Sequence, residues 1–221
     1  MIHILVVNIN NLKYTRDLVS DLRNQTGEFK LTIMDQGSTE EGTKEYLDSL
    51  LDSGIELDVV YNEENVDLSR LWNKFYLETS EPYLCFLNND LRILSNFVSD
   101  IYEIFHGGSD IGCVVHITNP TRFISEKLSY VIPDKKFVQG WEFTLKREAY
   151  TLIPHDLKTF GGDDYLFSNL YKNGWKVGVS MSSPIIHYGR RSRKYYKGDR
   201  NEEVIAYRKY GFEKLPYGAR I

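Results

Sequence analysis

Residues 83–90 read Tyr83-Leu84-Cys85-Phe86-Leu87-Asn88-Asn89-Asp90: an apolar run followed without a break by two amides and a carboxylate. A run apolar at every position, rather than at alternate ones, suits a strand covered on both faces. Polar residues where it stops mark the end of such a strand at the edge of a buried sheet. A similar form recurs to either side, interrupted at Thr32 and Asp58. Ile4-Leu5-Val6-Val7 leads into Asn8, residues 31–34 lead into Asp35, residues 57–61 lead into Asn62, and residues 111–115 form a further apolar run.

Helical stripes alternate with these strands. Leu18, Val19 and Leu22 share one face, as do Leu68, Leu71, Trp72 and Phe75, and as do Phe97, Ile101, Ile104 and Phe105 before the stop at Gly107-Gly108. Ser38 with Glu41 has the spacing of a capping box and predicts a helix whose buried stripe is Tyr46, Leu47, Leu50 and Leu51. Strands alternating with amphipathic helices predict an α/β fold with a mostly parallel central sheet flanked by helices. From residue 116 the pattern is less regular. Asn119-Pro120, Pro133-Asp134 and Pro154-His155 mark loops around a strand at 142–145, and a helix at 163–173 stopped by Gly174 leads to a strand at 175–180.

A chain of 221 residues with 42% hydrophobic and 14% aromatic content suits one globular domain with a sizeable core. Cys85 and Cys113 sit within apolar runs and read as small core residues in a reducing compartment. Residues 1–7 are too short for a signal peptide and no stretch reaches the roughly 20 apolar residues of a membrane span, so a cytoplasmic location is expected. A net charge of −4 argues against a protein that is basic throughout. Even so, Arg190, Arg191, Arg193, Lys194, Lys197 and Arg200 crowd one late segment.

Ligands of open α/β sheets bind beyond the carboxyl ends of the strands. The residues there are Asn8, Asn10, Asp35, Asn62 to Asn65 and Asp90, a set rich in carboxylates and amides. Neither a Gly-x-Gly-x-x-Gly turn nor a Gly-Lys-Ser/Thr loop occurs among them, which disfavours ordinary NAD or ATP chemistry. A phosphate site without cationic ligands calls for a divalent metal, and Asp90 offers a hard oxygen for Mg²⁺ or Mn²⁺ with Asn88 adding a neutral amide. Taken alone, Asn88-Asn89-Asp90 is equally readable as a turn after a strand.

In combination the motifs are more specific. Ile4-Leu5-Val6-Val7-Asn8-x-Asn10-Asn11 with Tyr14-Thr15-Arg16, Asp35-x-Gly37-Ser38-Thr39-x-x-Gly42-Thr43, the Asn65 to Asn73 spacing, Leu87-Asn88-Asn89-Asp90, Asp163-Asp164 with Gly174, and Pro184-x-x-His187 follow one another in order. Together they resemble the family 2 glycosyltransferases with the GT-A fold. Two positions depart from the family pattern: Asp67 stands where a Gly follows Asn65, and Asp163-Asp164 replaces a Glu-Asp pair. The resemblance implies a single Rossmann-like GT-A domain over residues 1–192. Residues 1–115 would form the nucleotide-sugar half, residues 116–192 the acceptor half, and residues 193–221 a basic extension.

The resemblance also implies roles. Asp35 would accept a hydrogen bond from the donor's base, uracil N3–H by preference, with Asn8 lining the same pocket and Asn65, Asn88 and Asn89 on the donor side. Asp90 and His187 would hold the metal, and Asp164, with Asp163 next, would act as base in an inverting transfer from a UDP-sugar to a hydroxyl acceptor. The competing readings are a turn or capping carboxylate for Asp35, a core-edge histidine for His187, and carboxylates that complement the helix dipole for the Asp pair. Trp141 either stacks on an acceptor sugar or base, or belongs to the core. Arg190 opens a basic, Tyr-rich segment that could close over the diphosphate, touch anionic lipid or hold nucleic acid. A glycan or polysaccharide acceptor is favoured. A modified base in DNA, or a binding module without catalysis, are the alternatives, and a nucleotidyltransferase is disfavoured because Asn8-Ile9-Asn10-Asn11 is not its Gly-rich basic loop.

Overall fold

The structure is a computed structural model that describes residues 1–51, 56–93, 96–118, 128–134, 136–189, 195 and 199–212. Its strands are β1 (Ile2–Asn8), β2 (Phe29–Gln36), β3 (Leu57–Asn62), β4 (Tyr83–Asn88), β5 (Leu91–Ile93), β6 (Ile111–Thr118), β7 (Tyr130–Val131), β8 (Glu142–Lys146) and β9 (Lys176–His187). The helices are α1 (Leu12–Arg23), α2 (Thr43–Ser49), α3 (Leu68–Glu78), α4 (Phe97–Gly107), α5 (Gly162–Lys172) and α6 (Arg200–Lys209). One sheet orders the strands β3-β2-β1-β4-β8-β6-β9-β5, with β7 beside β9. Parallel pairing joins β1 to β2 and β4, β2 to β3, and β6 to β9, while β8, β5 and β7 run against their neighbours. The expected α/β architecture with a mostly parallel sheet is what the chain forms.

The strands are apolar at consecutive positions because both faces of the sheet are covered. Ile4, Val6, Cys85, Leu87 and Val114 point to one face, where α1, α2 and α4 pack through Leu18, Val19, Leu22, Leu47, Ile101 and Ile104. Leu5, Leu84, Phe86, Cys113 and Val115 point to the other, against Leu71, Trp72 and Phe75 of α3, Phe167 of α5 and Ala206 of α6. The period of two along each strand sorts its residues between these two cores. Both cysteines are free and buried, and burial pushes their thiols up.

Several local expectations are corrected. Ser38 does not cap α2; Gly42 does, in the left-handed region at φ 79°. Leu51 lies past the helix end and is exposed rather than part of its stripe. The last strand does not stop near Ser180. It runs on to His187 after three extra residues enter its register with β6 between the His116/Ser180 and Thr118/Ile185 pairs. Those residues include serines whose hydroxyls are held by Asp100 of α4. Its Oδ2 accepts from Ser180 at 3.1 Å, Ser182 at 2.7 Å and Ser183 at 2.5 Å. The redirected end of β9 then pairs with β5, placing Leu91 opposite His187. Past residue 192 the chain contains α6, whose Ala206 and Tyr207 are buried against the domain.

Candidate active site

The parallel strands bring their carboxyl ends to one edge, where Asn8 pairs with Asp35 and Val7 with Asn88. Asn8 is fully buried, and all of its hydrogen-bonding capacity is used. Its Nδ2 donates to Asp35 Oδ1 at 2.6 Å and Ser38 Oγ at 3.3 Å, while its Oδ1 accepts from Thr15 Oγ1 at 2.6 Å and Asn89 Nδ2 at 2.9 Å. Asn89 also donates through Nδ2 to the Asn10 carbonyl and Thr15 Oγ1. Asn8 and Asn89 were expected to face the donor. Instead they form a buried network beneath the strand ends, because amides with inward partners are held below the surface.

Asp35 anchors the next turn. Its Oδ1 accepts from Ser38 Oγ at 2.5 Å as well as from Asn8, and its Oδ2 accepts from the Ser38 amide at 3.0 Å. A carboxylate has about four acceptor positions, so one on Oδ2 remains for a ligand. Asn10 and Asn11 adopt left-handed conformations at φ 49° and 56°, which Asn tolerates better than most residues. Asn10 Oδ1 then receives the amides of Thr39 and Glu40 at 2.7 and 2.8 Å. Gly37 at φ 66° closes the turn against the next loop; a Cβ there would lie 2.7 Å from the Glu63 carbonyl. Asn10, Asn11, Lys13, Tyr14, Thr39, Glu40 and Tyr195 line a cleft of about 520 Å³ beside these turns. Asn65 is exposed at its rim and donates to the Tyr195 carbonyl at 3.2 Å. Arg190 lies outside the described residues.

Asp90 follows β4 and is 2% exposed. Its Oδ1 is buried without a hydrogen-bond partner and stands 3.4 Å from His187 Nε2. The pairing of β5 with β9 makes this meeting, and the Tyr188 amide donates to the Asp90 carbonyl at 3.0 Å. Two ligands about 2.1 Å from one divalent ion, at right or tetrahedral angles, stand roughly 3.0–3.4 Å apart. The orphaned oxygen and the imidazole nitrogen therefore fit a shared cation. Among the described residues no group of three or more His, Cys, Asp or Glu gathers to hold a metal. The remaining coordination would have to come from phosphate and water, as is usual for magnesium-type sites.

Trp141 stacks on His187, with ring centroids 4.9 Å apart and planes at 24°, and its carbonyl accepts the Asn88 amide at 3.0 Å. It is partly buried against the core, the second of the two readings made from the sequence, and it also backs the histidine. Beside it Gly140 abuts Asp163, whose Cγ would be 2.8 Å from any Cβ added to the glycine. Asp163 and Asp164 open α5 after Gly161, which is left-handed at φ 82°. Burial first, and the neighbouring Asp164 charge second, push the Asp163 carboxyl up from 3.8 to about 6, against the pull of the helix's first backbone amides. Asp164 points elsewhere. Burial raises its carboxyl while a 3.1 Å hydrogen bond from Tyr207 of α6 lowers it.

Tyr207 carried no sequence signature, since it lies 43 positions from its partner in a charged stretch. In Tyr207→Phe the Asp164 carboxyl is expected to titrate at higher pH, as read by carboxyl NMR. Loss of the bond should cost about 0.5–1.5 kcal/mol in denaturant unfolding. A carboxyl raised on folding makes stability fall as pH rises through the carboxylate range, and this fall should steepen in the variant. An unmoved Asp164 titration would show that the hydroxyl does not act on it.

The sequence model of the family described as Glycosyl transferase family 2 matches residues 3–162. No curated protein sequence matches the chain. Among solved structures, the chain superimposes on GalNAc-T7 with UDP, GalNAc and Mn²⁺ at a TM-score of 0.71 and 14% identity, covering 93% of this chain and 47% of that one. With residues 1–349 of TarS from S. aureus in complex with UDP-GlcNAc the values are 0.69 and 15%, covering 89% and 61%. With the mannosyltransferase PcManGT from Pyrobaculum calidifontis in complex with GDP-Man and Mn²⁺ they are 0.63 and 14%, covering 81% and 56%. The chain thus spans about half to three-fifths of the length of these proteins. Among its described residues no helix is long and apolar enough to cross a membrane.

Proposed function

The chain belongs to glycosyl transferase family 2, and from that premise we propose that it is a metal-dependent, inverting glycosyltransferase moving a sugar from a UDP-sugar to a hydroxyl of a glycan acceptor. The observation that carries this reading is the buried Asp90 Oδ1, without a hydrogen bond and 3.4 Å from His187 Nε2, at the sheet edge that also bears Asp35. Relatives of the same fold bound to UDP or GDP-mannose with Mn²⁺ support it.

The nucleobase is bound beside Asp35. Its one remaining acceptor position suits the single imide N–H of uracil. Guanine would offer two adjacent donors, and cytosine has none at that ring position. The cleft lined by Asn10, Asn11, Lys13 and Tyr14 takes the rest of the nucleoside. Asp90 and His187 would hold Mn²⁺ or Mg²⁺, which when bound offsets the charge of the departing diphosphate. Asp163 takes the acceptor's hydroxyl proton, because it lies on the Gly140-Trp141 side next to His187, whereas Asp164 is turned to Tyr207. The freed oxygen attacks the anomeric carbon from the face opposite the diphosphate. The bond to the diphosphate breaks with its electron pair going to the nucleotide, and the product carries the opposite anomeric configuration.

Thermal unfolding against UDP-, GDP-, CDP- and dTDP-sugars, each with Mn²⁺ and with chelator, tests the reading. A UDP-sugar with Mn²⁺ at a hundred times its Kd should stabilise the fold by about 2.7 kcal/mol, with the effect largely lost in chelator. A shift for GDP-sugars alone would overturn the uracil assignment, and no shift with any donor would overturn the transferase reading.

A further inference from the structure

Glu142 opens β8 with its carboxyl group completely buried, and the chemistry above gives it no task. Its Oε2 accepts from the His116 amide at 2.9 Å and from Gln139 Nε2 at 2.8 Å, and its Oε1 lies 3.1 Å from His116 Nδ1. Gln139 Nε2 also reaches the Glu142 carbonyl at 2.8 Å. Burying such a group is costly unless it is fully hydrogen-bonded, and apolar residues would hold β6 to β8 without that cost. The expense therefore points to a demand for fixed geometry.

What these bonds hold still is the short strap of residues 139–141. Gly140 on that strap lies against Asp163, the ring of Trp141 stacks on His187, and the Trp141 carbonyl takes the Asn88 amide. One buried carboxyl thus anchors a segment that touches the proposed base, the proposed metal-ligand histidine and the end of β4. Resting on the transferase reading, we propose that Glu142, acting through Gln139 and His116, is a positioning residue. It fixes the strap so that Asp163 and His187 keep one separation, and it sets turnover rather than donor affinity.

The variants are Gln139→Met, which frees the strap with little change in volume, Glu142→Leu, which removes every acceptor, and Glu142→Gln, which can restore the bonds by a change of His116 tautomer. Thr144→Val, also buried on β8 but outside the network, controls for stability. Two readouts apply. The first is the ring-current shift that Trp141 imposes on the His187 imidazole, followed by ¹³C-histidine NMR without donor and assigned with His187→Gln. The second is kcat against donor KM at temperatures below each unfolding midpoint.

In Gln139→Met and Glu142→Leu the His187 resonance is expected to move toward its free position. The kcat should fall at least tenfold with donor KM within about twofold, while Glu142→Gln and Thr144→Val stay near wild type. A folded Gln139→Met with an unmoved His187 resonance and wild-type kcat overturns the proposal. So does an equal loss of kcat in Thr144→Val. If the wild-type protein turns over no donor, the transferase reading fails, and the NMR arm alone decides whether Glu142 sets the histidine.

Discussion

Asp90→Ala is expected to abolish metal-dependent nucleotide binding and to lower turnover about a thousandfold, the equivalent of roughly 4 kcal/mol of leaving-group stabilisation. The same variant should not be destabilised in the absence of metal. Asp90 Oδ1 is buried without a hydrogen bond, and the bond from the Tyr188 amide goes to the Asp90 carbonyl, which alanine keeps. Removing a carboxyl whose Oδ1 is buried without a hydrogen bond relieves a desolvation cost that outweighs its 3.4 Å contact with the His187 imidazole. Calorimetry of Mn²⁺ and UDP binding, with thermal unfolding in chelator, measures both. Wild-type Mn²⁺ dependence in the alanine variant would move the cation to other ligands, and a large loss of stability in chelator would make Asp90 a structural carboxyl.

Asp163→Asn is expected to lower kcat by about 10²–10⁴, the contribution of a positioned general base, and to make the fold more stable above pH 6. A carboxyl pushed up to about 6 binds a proton more tightly folded than unfolded. Below its ordinary range the proton is bound in both states. As pH rises from about 4 to about 6, the unfolded chain ionises first and wild-type stability falls, by roughly 3 kcal/mol in all. Asparagine escapes that loss, so the two proteins should be alike near pH 3.5 and diverge by pH 7. The wild-type kcat/KM should rise with pH through about 6 for the same reason. Denaturant midpoints across pH, set beside the pH–rate profile, test both; an Asp164→Asn variant with the larger kcat loss would reverse the assignment.

How much of this is legible in the sequence depends on where each residue's partners lie. The strands around Leu5, Ile33 and Phe86 are readable because both faces are buried, so apolar residues fill most consecutive positions. β5 and β7 are not, since two or three residues carry no period and their pairing comes from β9. The last strand is expected to end at residue 180 yet continues through Ser182-Ser183-Pro184, because Asp100 of α4 supplies the serines with partners. Ser38 carries a capping signature but is bound to Asp35 and Asn10, which compete for it. The residues proposed for the site, Asp35, Asp90, Asp163 and His187 among them, can be named from the sequence, whereas the contacts that divide their roles cannot. Consecutive residues on a helix diverge by about 100°, and the contacts with Gly140 and Tyr207 distinguish Asp163 from Asp164. α6 hid behind its charges, with Ala206 and Tyr207 as its only strongly buried apolar residues.

The route of β9 also orders events in the making of the protein. Every member of the network joining Asn8, Asn10, Thr15, Asp35, Ser38 and Asn89 precedes residue 90, so that network can assemble on a ribosome-bound chain that has emerged only through β4. The Asp90–His187 pair cannot, because Asp90 waits for a histidine 97 positions later, delivered by a strand that first traverses the sheet beside β6 and is then turned by Asp100. Loop closure over that distance is slow compared with the local pairings upstream. A nascent or locally unfolded chain would therefore hold the network around Asn8 and Asp35 while the Asp90–His187 pair, and Tyr195 on the wall of the cleft, arrive last, with completion of the sheet.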